Sequence, residues 1–194
     1  MKKELEYLTL SRKYIFIMTG IFIISVIVGL VASLKDLGLS QNYLDMLKES
    51  FGWIKDLPPV GIMLVIFLNN AIKSLLAILL GAGFGIIPVL FVAGNGVLLG
   101  LVASQVSSEK GTLFVLAAIL PHGIVEIPMV LVSSGLGLRL GYLMYSYITG
   151  KKTDLRFELM QSLRIYIRIV VPLLFLSAVV ETFVTPLVVL QVLP

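Results

Sequence analysis

The chain contains no cysteine, which excludes disulfide cross-links, thiolate metal sites and cysteine nucleophiles. Charge is scarce as well. Asp, Glu, Lys and Arg make up 13% of the 194 residues, whereas an ordinary soluble domain carries about 25%. A single histidine leaves no partner for the two-histidine H-E-x-x-H zinc motif, and no second imidazole to serve as a base elsewhere. Apolar side chains are what the chain has in excess: 58% of residues are hydrophobic and the mean hydropathy is +1.05. A water-soluble fold is excluded on these grounds. Each membrane-spanning helix needs roughly 20 mostly apolar residues, which leaves room for four to six spans and for no extramembrane domain. The expected fold is an all-α integral membrane bundle, with residues 1–194 forming one membrane domain.

Five apolar runs can be traced, at about residues 14–34, 60–80, 86–105, 112–138 and 165–187. The first follows Arg12 and Lys13 like a secretory signal, but it exceeds the typical apolar core of about 7–15 residues and lacks an A-x-A cleavage site. It reads as a retained span. Between the first two runs, Leu44, Leu47, Phe51 and Ile54 recur at helical spacing beside Trp53, with Ser40 as a candidate cap. This pattern predicts an amphipathic helix within residues 35–59, lying in the headgroup region or docking a partner. The fourth run carries Pro121 and Pro128 in its interior, which predicts a kinked helix packed inside the bundle.

Glycines four residues apart recur at Gly81 and Gly85, Gly96 and Gly100, and Gly137 and Gly141. A phosphate-binding loop is a poor reading of the first pair, since no strand precedes it and no Lys-Ser or Lys-Thr follows. Close helix packing in lipid explains all three pairs, and such faces could also support a homo-oligomer. The basic residues predict orientation. The N-terminal tail and the segment between spans four and five hold ten of the 15 Lys and Arg, the opposite side holds four, and Lys73 lies within span two. Positive-inside bias therefore puts the N-terminus in the cytoplasm, and the C-terminus and the amphipathic segment outside. The net charge of +4 flanks apolar runs instead of coating a soluble surface, so the expected partner is the bilayer and not nucleic acid.

Polar residues inside the spans are the candidate site. Span two holds Asn69, Asn70 and Lys73, span three Asn95, span four His122 and Glu126, and span five Glu181. A charge at mid-bilayer costs at least about 2.5–3.5 kcal/mol and usually faces the bundle interior with a partner. Asn69 with Lys73 and His122 with Glu126 are each four apart, hence on one helical face. With spans two and four running in the same direction, Lys73 is expected to pair with Glu126, and Glu181 could bond His122. Three roles fit: a satisfied cluster that sets helix register, a path for an ion or small solute, or a metal or hydrolytic site. The third is disfavoured because two glutamates and one histidine lack the usual zinc spacing, and Ser104, Ser107 and Ser108 have no histidine base beside them. No cofactor, metal or catalytic residue is expected, and the chain is not expected to be an enzyme.

The run Pro121-His122-Gly123-x-x-Glu126, followed by Pro128 and by Gly135-Leu136-Gly137-Leu138-Arg139-Leu140-Gly141, resembles the signature of the stage II sporulation protein M family. The asparagines of span two and the basic segment before the last span are similar too, and the likeness extends over roughly residues 14–187. The resemblance implies a membrane component without chemistry of its own, which in spore-forming bacteria anchors peptidoglycan-degrading partners. Related proteins occur in organisms that do not sporulate, and the family has been grouped with permease-like domains of export systems. Two functions of different kinds follow: a non-enzymatic scaffold that anchors protein partners, and a channel or transporter using the intramembrane Asn, Lys, His and Glu side chains.

Overall fold

A computed structural model of the chain describes residues 2–35, 41, 45, 46, 49, 50 and 52–192. Among these there is no strand, and five helices are long and apolar enough to cross a membrane. They are α1 (Lys2–Lys35), α2 (Pro59–Leu79), α3 (Ile86–Lys110), α4 (Thr112–Ile148) and α5 (Leu155–Leu190). The chain is thus an all-α membrane bundle. Four helices outrun the apolar runs that mark them: α1 begins before residue 14, α3 continues past residue 105, α4 continues past residue 138, and α5 begins before residue 165. Hydropathy registers the lipid-embedded part of a helix, while backbone hydrogen bonding carries the same helix into charged sequence beyond it.

Local chemistry sets the ends. Pro58 is extended and Pro59 opens α2, where its missing N–H costs nothing. Gly85, at φ +74°, reverses the chain before α3. Asp154 caps α5 by accepting a hydrogen bond of 2.9 Å from the Phe157 N–H. Within α5 two π-helical segments, Tyr166–Val170 and Val180–Val184, shift the register of the following turns. α4 runs as one helix through both Pro121 and Pro128. Of the expected amphipathic helix, Ser40, Leu44, Leu47 and Phe51 lie outside the described residues. Gly52–Asp56, carrying Trp53 and Ile54, forms a 3-10 turn, with Trp53 exposed and its indole N–H donating to the Ser50 carbonyl.

Because the helices are apolar nearly all round, fit and not hydrophobicity selects their contacts in lipid. A Cβ added at Gly81 would fall on the Gly137 backbone, one at Gly137 on the Ala77 carbonyl, and one at Gly141 on the Gly85 backbone. α4 therefore lies directly on the end of α2 and on the turn that leads into α3. Gly96 and Gly100 meet α1 in the same way, with Gly100 against Val26 and Gly29 against Val97. All three glycine pairs are occupied by the chain's own helices, so a homo-oligomer would have to use other surfaces. The main core gathers Tyr7, Ile78, Leu136, Ile165, Val170 and Leu174 from four helices, and a smaller one joins Met18, Val92 and Leu131. Phe16, Ile24, Leu64, Leu90, Ile124 and Ile167 face outward, as lipid contact requires.

Gly137→Val should force α4 off Ala77 and destabilise the bundle by about 1–3 kcal/mol. Gly20→Ala in α1, where a Cβ meets nothing within 4 Å, should be neutral or stabilising by up to about 1 kcal/mol. Thermal unfolding in detergent reads both, and equal midpoints for the two variants would contradict the packing.

Candidate functional site

The polar side chains converge on the middle of the bundle, built around α4. His122 and Glu126 lie one turn apart on α4, with the buried Gly123 between them. From α5, Ser177, Glu181 and Thr185 repeat every four residues and face that stretch. The Ser177 hydroxyl lies 3.2 Å from the His122 carbonyl and 3.3 Å from Glu126 Oε2, and donates to these acceptors. His122 Nδ1 is 3.4 Å from Thr185 Oγ1. Thr185 in turn donates to the carbonyl of Val180, five residues back, across the second π segment. π turns of this kind occur often at functional sites, and here the turn carries Glu181 toward α4. One ligand-type atom from each of His122, Glu126 and Glu181 lies within 4.8 Å of the others. These are the described residues that could share a single cation.

Beside this cluster is a cavity of about 320 Å³ bounded by α1, α2, α3 and α4. Asn70 and Lys73 enter it from α2, Asn95 from α3, and His122 and Glu126 from α4. Asn70 and Lys73 both act on the Glu126 carboxylate across this space. Asn95 donates to the Phe91 carbonyl one turn earlier, at 2.7 Å. The rest of the wall is apolar, with Phe22, Phe91, Leu98 and Val102 among its members.

Of the seven polar residues expected together, five line the cavity. Glu181 joins from the α5 side, and Asn69 is exposed on another face of α2. Asn70 takes the place expected of Asn69, since the face that α2 turns inward passes through Asn70, Lys73 and the buried Ser74 and Ala77. Lys73 and Glu126 share the cavity without forming a contact ion pair among the described residues. The His122 ring is within hydrogen-bond distance of the Thr185 hydroxyl, which takes the place expected of Glu181. Ser107 pairs with Thr112 at 2.8 Å, and Ser108 donates to the Gln105 carbonyl.

A second polar network was not legible beforehand. Arg139, counted from sequence among connector charges, lies within α4 and is 3.0 Å from Glu158 Oε2, with side-chain exposures of 11% and 17%. The Arg139 guanidinium donates to Ser11 at 3.0 Å and stacks 4.3 Å over the Tyr7 ring. Tyr7 donates to Glu158 Oε2 at 2.6 Å. Arg168 pairs with Glu4 nearby, and the Tyr166 hydroxyl donates to the Ala71 carbonyl at 2.8 Å. The network ties α1, α4 and α5 at one end of the bundle. Its available signal was the four-residue spacing of Tyr7 with Ser11 and of Glu158 with Ser162, in helices longer than their apolar runs.

Five apolar helices, glycine-mediated packing and an internal polar cavity define a multi-pass membrane protein. Residues 18–186 match the family model described as Stage II sporulation protein M, and the chain belongs to that family. No curated protein and no solved structure matches the chain.

The two charge pairs should behave differently in double-mutant cycles read by detergent unfolding. Arg139→Met or Glu158→Leu alone should cost about 3 kcal/mol, and the double variant should recover part of it. Lys73→Met and Glu126→Leu, which share the cavity without direct contact, should show a smaller coupling than the Arg139 and Glu158 pair. A large coupling in the second cycle would show that these two side chains do pair.

Proposed function

We propose that the chain is a non-enzymatic membrane component that organises or anchors partner proteins at the bilayer, with its N-terminus in the cytoplasm. The carrying observation is how short three of the connectors between the spans are. α3 and α4 are joined through Gly111 alone, α2 and α3 through residues 80–85, and α4 and α5 through residues 149–154. A chain so committed to the bilayer acts through its lateral surfaces and its short connectors. Membership of the Stage II sporulation protein M family supports the same reading. The segment around Lys151, Lys152, Arg156 and Arg164 is a basic surface suited to partner contact. Its charge, with that of the N-terminal tail, supports the orientation through positive-inside bias.

A second reading, passage of an ion or small solute, is favoured by one observation: ionisable side chains from α2 and α4 face a common cavity inside the bundle. Intramembrane ionisable residues often mark such routes.

Ion and proton flux into proteoliposomes separates the two, with wild type beside Glu126→Gln. Flux at the background level of empty vesicles, from protein that unfolds cooperatively, is expected. Flux that Glu126→Gln abolishes would replace anchoring with transport. Orientation has its own check, because the chain lacks cysteine and an introduced one is the sole thiol. In intact cells, Gln191→Cys should react with a membrane-impermeant maleimide and Lys151→Cys should not. The reverse pattern would invert the topology.

A further inference from the structure

The cavity holds two opposite charges that do not meet. Lys73 enters from α2 and Glu126 from α4, and among the described residues Lys73 makes no hydrogen bond or ion pair. An ammonium without a partner inside a bilayer is costly, yet the carboxylate that would relieve it stands across the space, held by Ser177. The amides of Asn70 and Asn95 line the same space, facing an apolar wall that includes Phe22, Leu98 and Val102. A volume of about 320 Å³ falls at the small end of the range for ligand sites, and a mostly apolar wall with a few convergent polar groups is their usual make-up. α2 and α3 each pack on α4 but touch each other little, so the space between them is a cleft at membrane depth.

We propose that this cavity binds a zwitterionic amphiphile: a molecule with an ammonium and an acidic group a few ångströms apart and an apolar tail. The ammonium is received by Glu126 and the acidic group by Lys73, so that each half-buried charge gains an oppositely charged partner. The tail follows the apolar wall toward the lipid through the cleft. An aminoethyl phosphate lipid headgroup has this chemistry, and a free zwitterion shares its polar half. The inference goes beyond the anchoring role and does not depend on it.

Native mass spectrometry of the full chain, stripped of lipid in detergent, tests the idea by titration with phosphatidylethanolamine, with phosphatidylglycerol, which lacks the ammonium, and with soluble phosphoethanolamine. Lys73→Met, which removes the partner of the phosphate, should weaken binding of both lipids; phosphatidylethanolamine should bind about tenfold more tightly than phosphatidylglycerol, a difference that Glu126→Gln should remove. Asn69→Ala, on the exposed face of α2, should preserve it. Asn95→Leu narrows the cavity and removes an amide without removing a charge and should also weaken binding, which keeps the test decisive if a charge variant fails to fold. Equal affinity for the two lipids, or phosphatidylethanolamine binding unchanged in Lys73→Met and Asn95→Leu, would overturn the proposal. Binding of phosphoethanolamine but not of the lipid would overturn the amphiphile in favour of a soluble zwitterion.

Discussion

The contact on which the bundle depends is the backbone-to-backbone approach of α4 to the end of α2 and the turn that follows it. Gly81, Gly85, Gly137 and Gly141 all lack the atom that would hold the two segments apart. In lipid there is no hydrophobic gain from bringing apolar helices together, so dispersion contacts and geometry must supply the preference. This contact sets where α4 lies, and α4 carries Pro121, His122, Gly123, Glu126 and Arg139. Moving it would displace both polar networks together. The same contact explains why the cavity sits where it does, because α2 and α3 are both pinned to α4 near their shared turn while the space between them farther along stays unfilled.

Two polar networks occupy the bundle, and they satisfy their charges differently. At the end formed by α1, α4 and α5, Arg139 has a carboxylate, a serine hydroxyl and an aromatic face, and Glu158 is bonded by both Arg139 and Tyr7. Such saturation offsets desolvation, and it fixes the three helices in one register. The mid-membrane network is looser. The hydrogen bonds that join α4 to α5 there are 3.2 to 3.4 Å long, and two of its ionisable groups line an open space instead of closing on each other.

Sequence patterns made the architecture readable because the bilayer imposes a simple rule, that apolar runs of sufficient length become helices. The five spans, the glycine pairs and most of the polar cluster could be picked out on that basis. Which glycine met which, and whether within one chain or between copies, could not, since packing partners depend on tertiary fit. Asn69 and Asn70 show the limit at single-residue scale. Adjacent residues on a helix point about 100° apart, and depth matching alone cannot say which of two neighbours turns inward. The Arg139 network was hidden for another reason: its members lie in helical extensions where hydropathy falls, so a charge inside a helix looks the same as a charge in a loop.

The contrast between the networks bears on why the mid-membrane residues exist. If their task were only to fix helix register, the arrangement at the Arg139 end shows how this chain builds such a device: Arg139, Tyr7 and Arg168 each have a carboxylate acceptor within contact distance. A lysine facing a cavity without a contact partner adds insertion cost and little positional constraint. Stability alone favours replacing Lys73 with an apolar residue of similar volume, which would remove the unpaired charge. Its presence, opposite a carboxylate and between two amides, is better explained by a role that needs the space and the charges together.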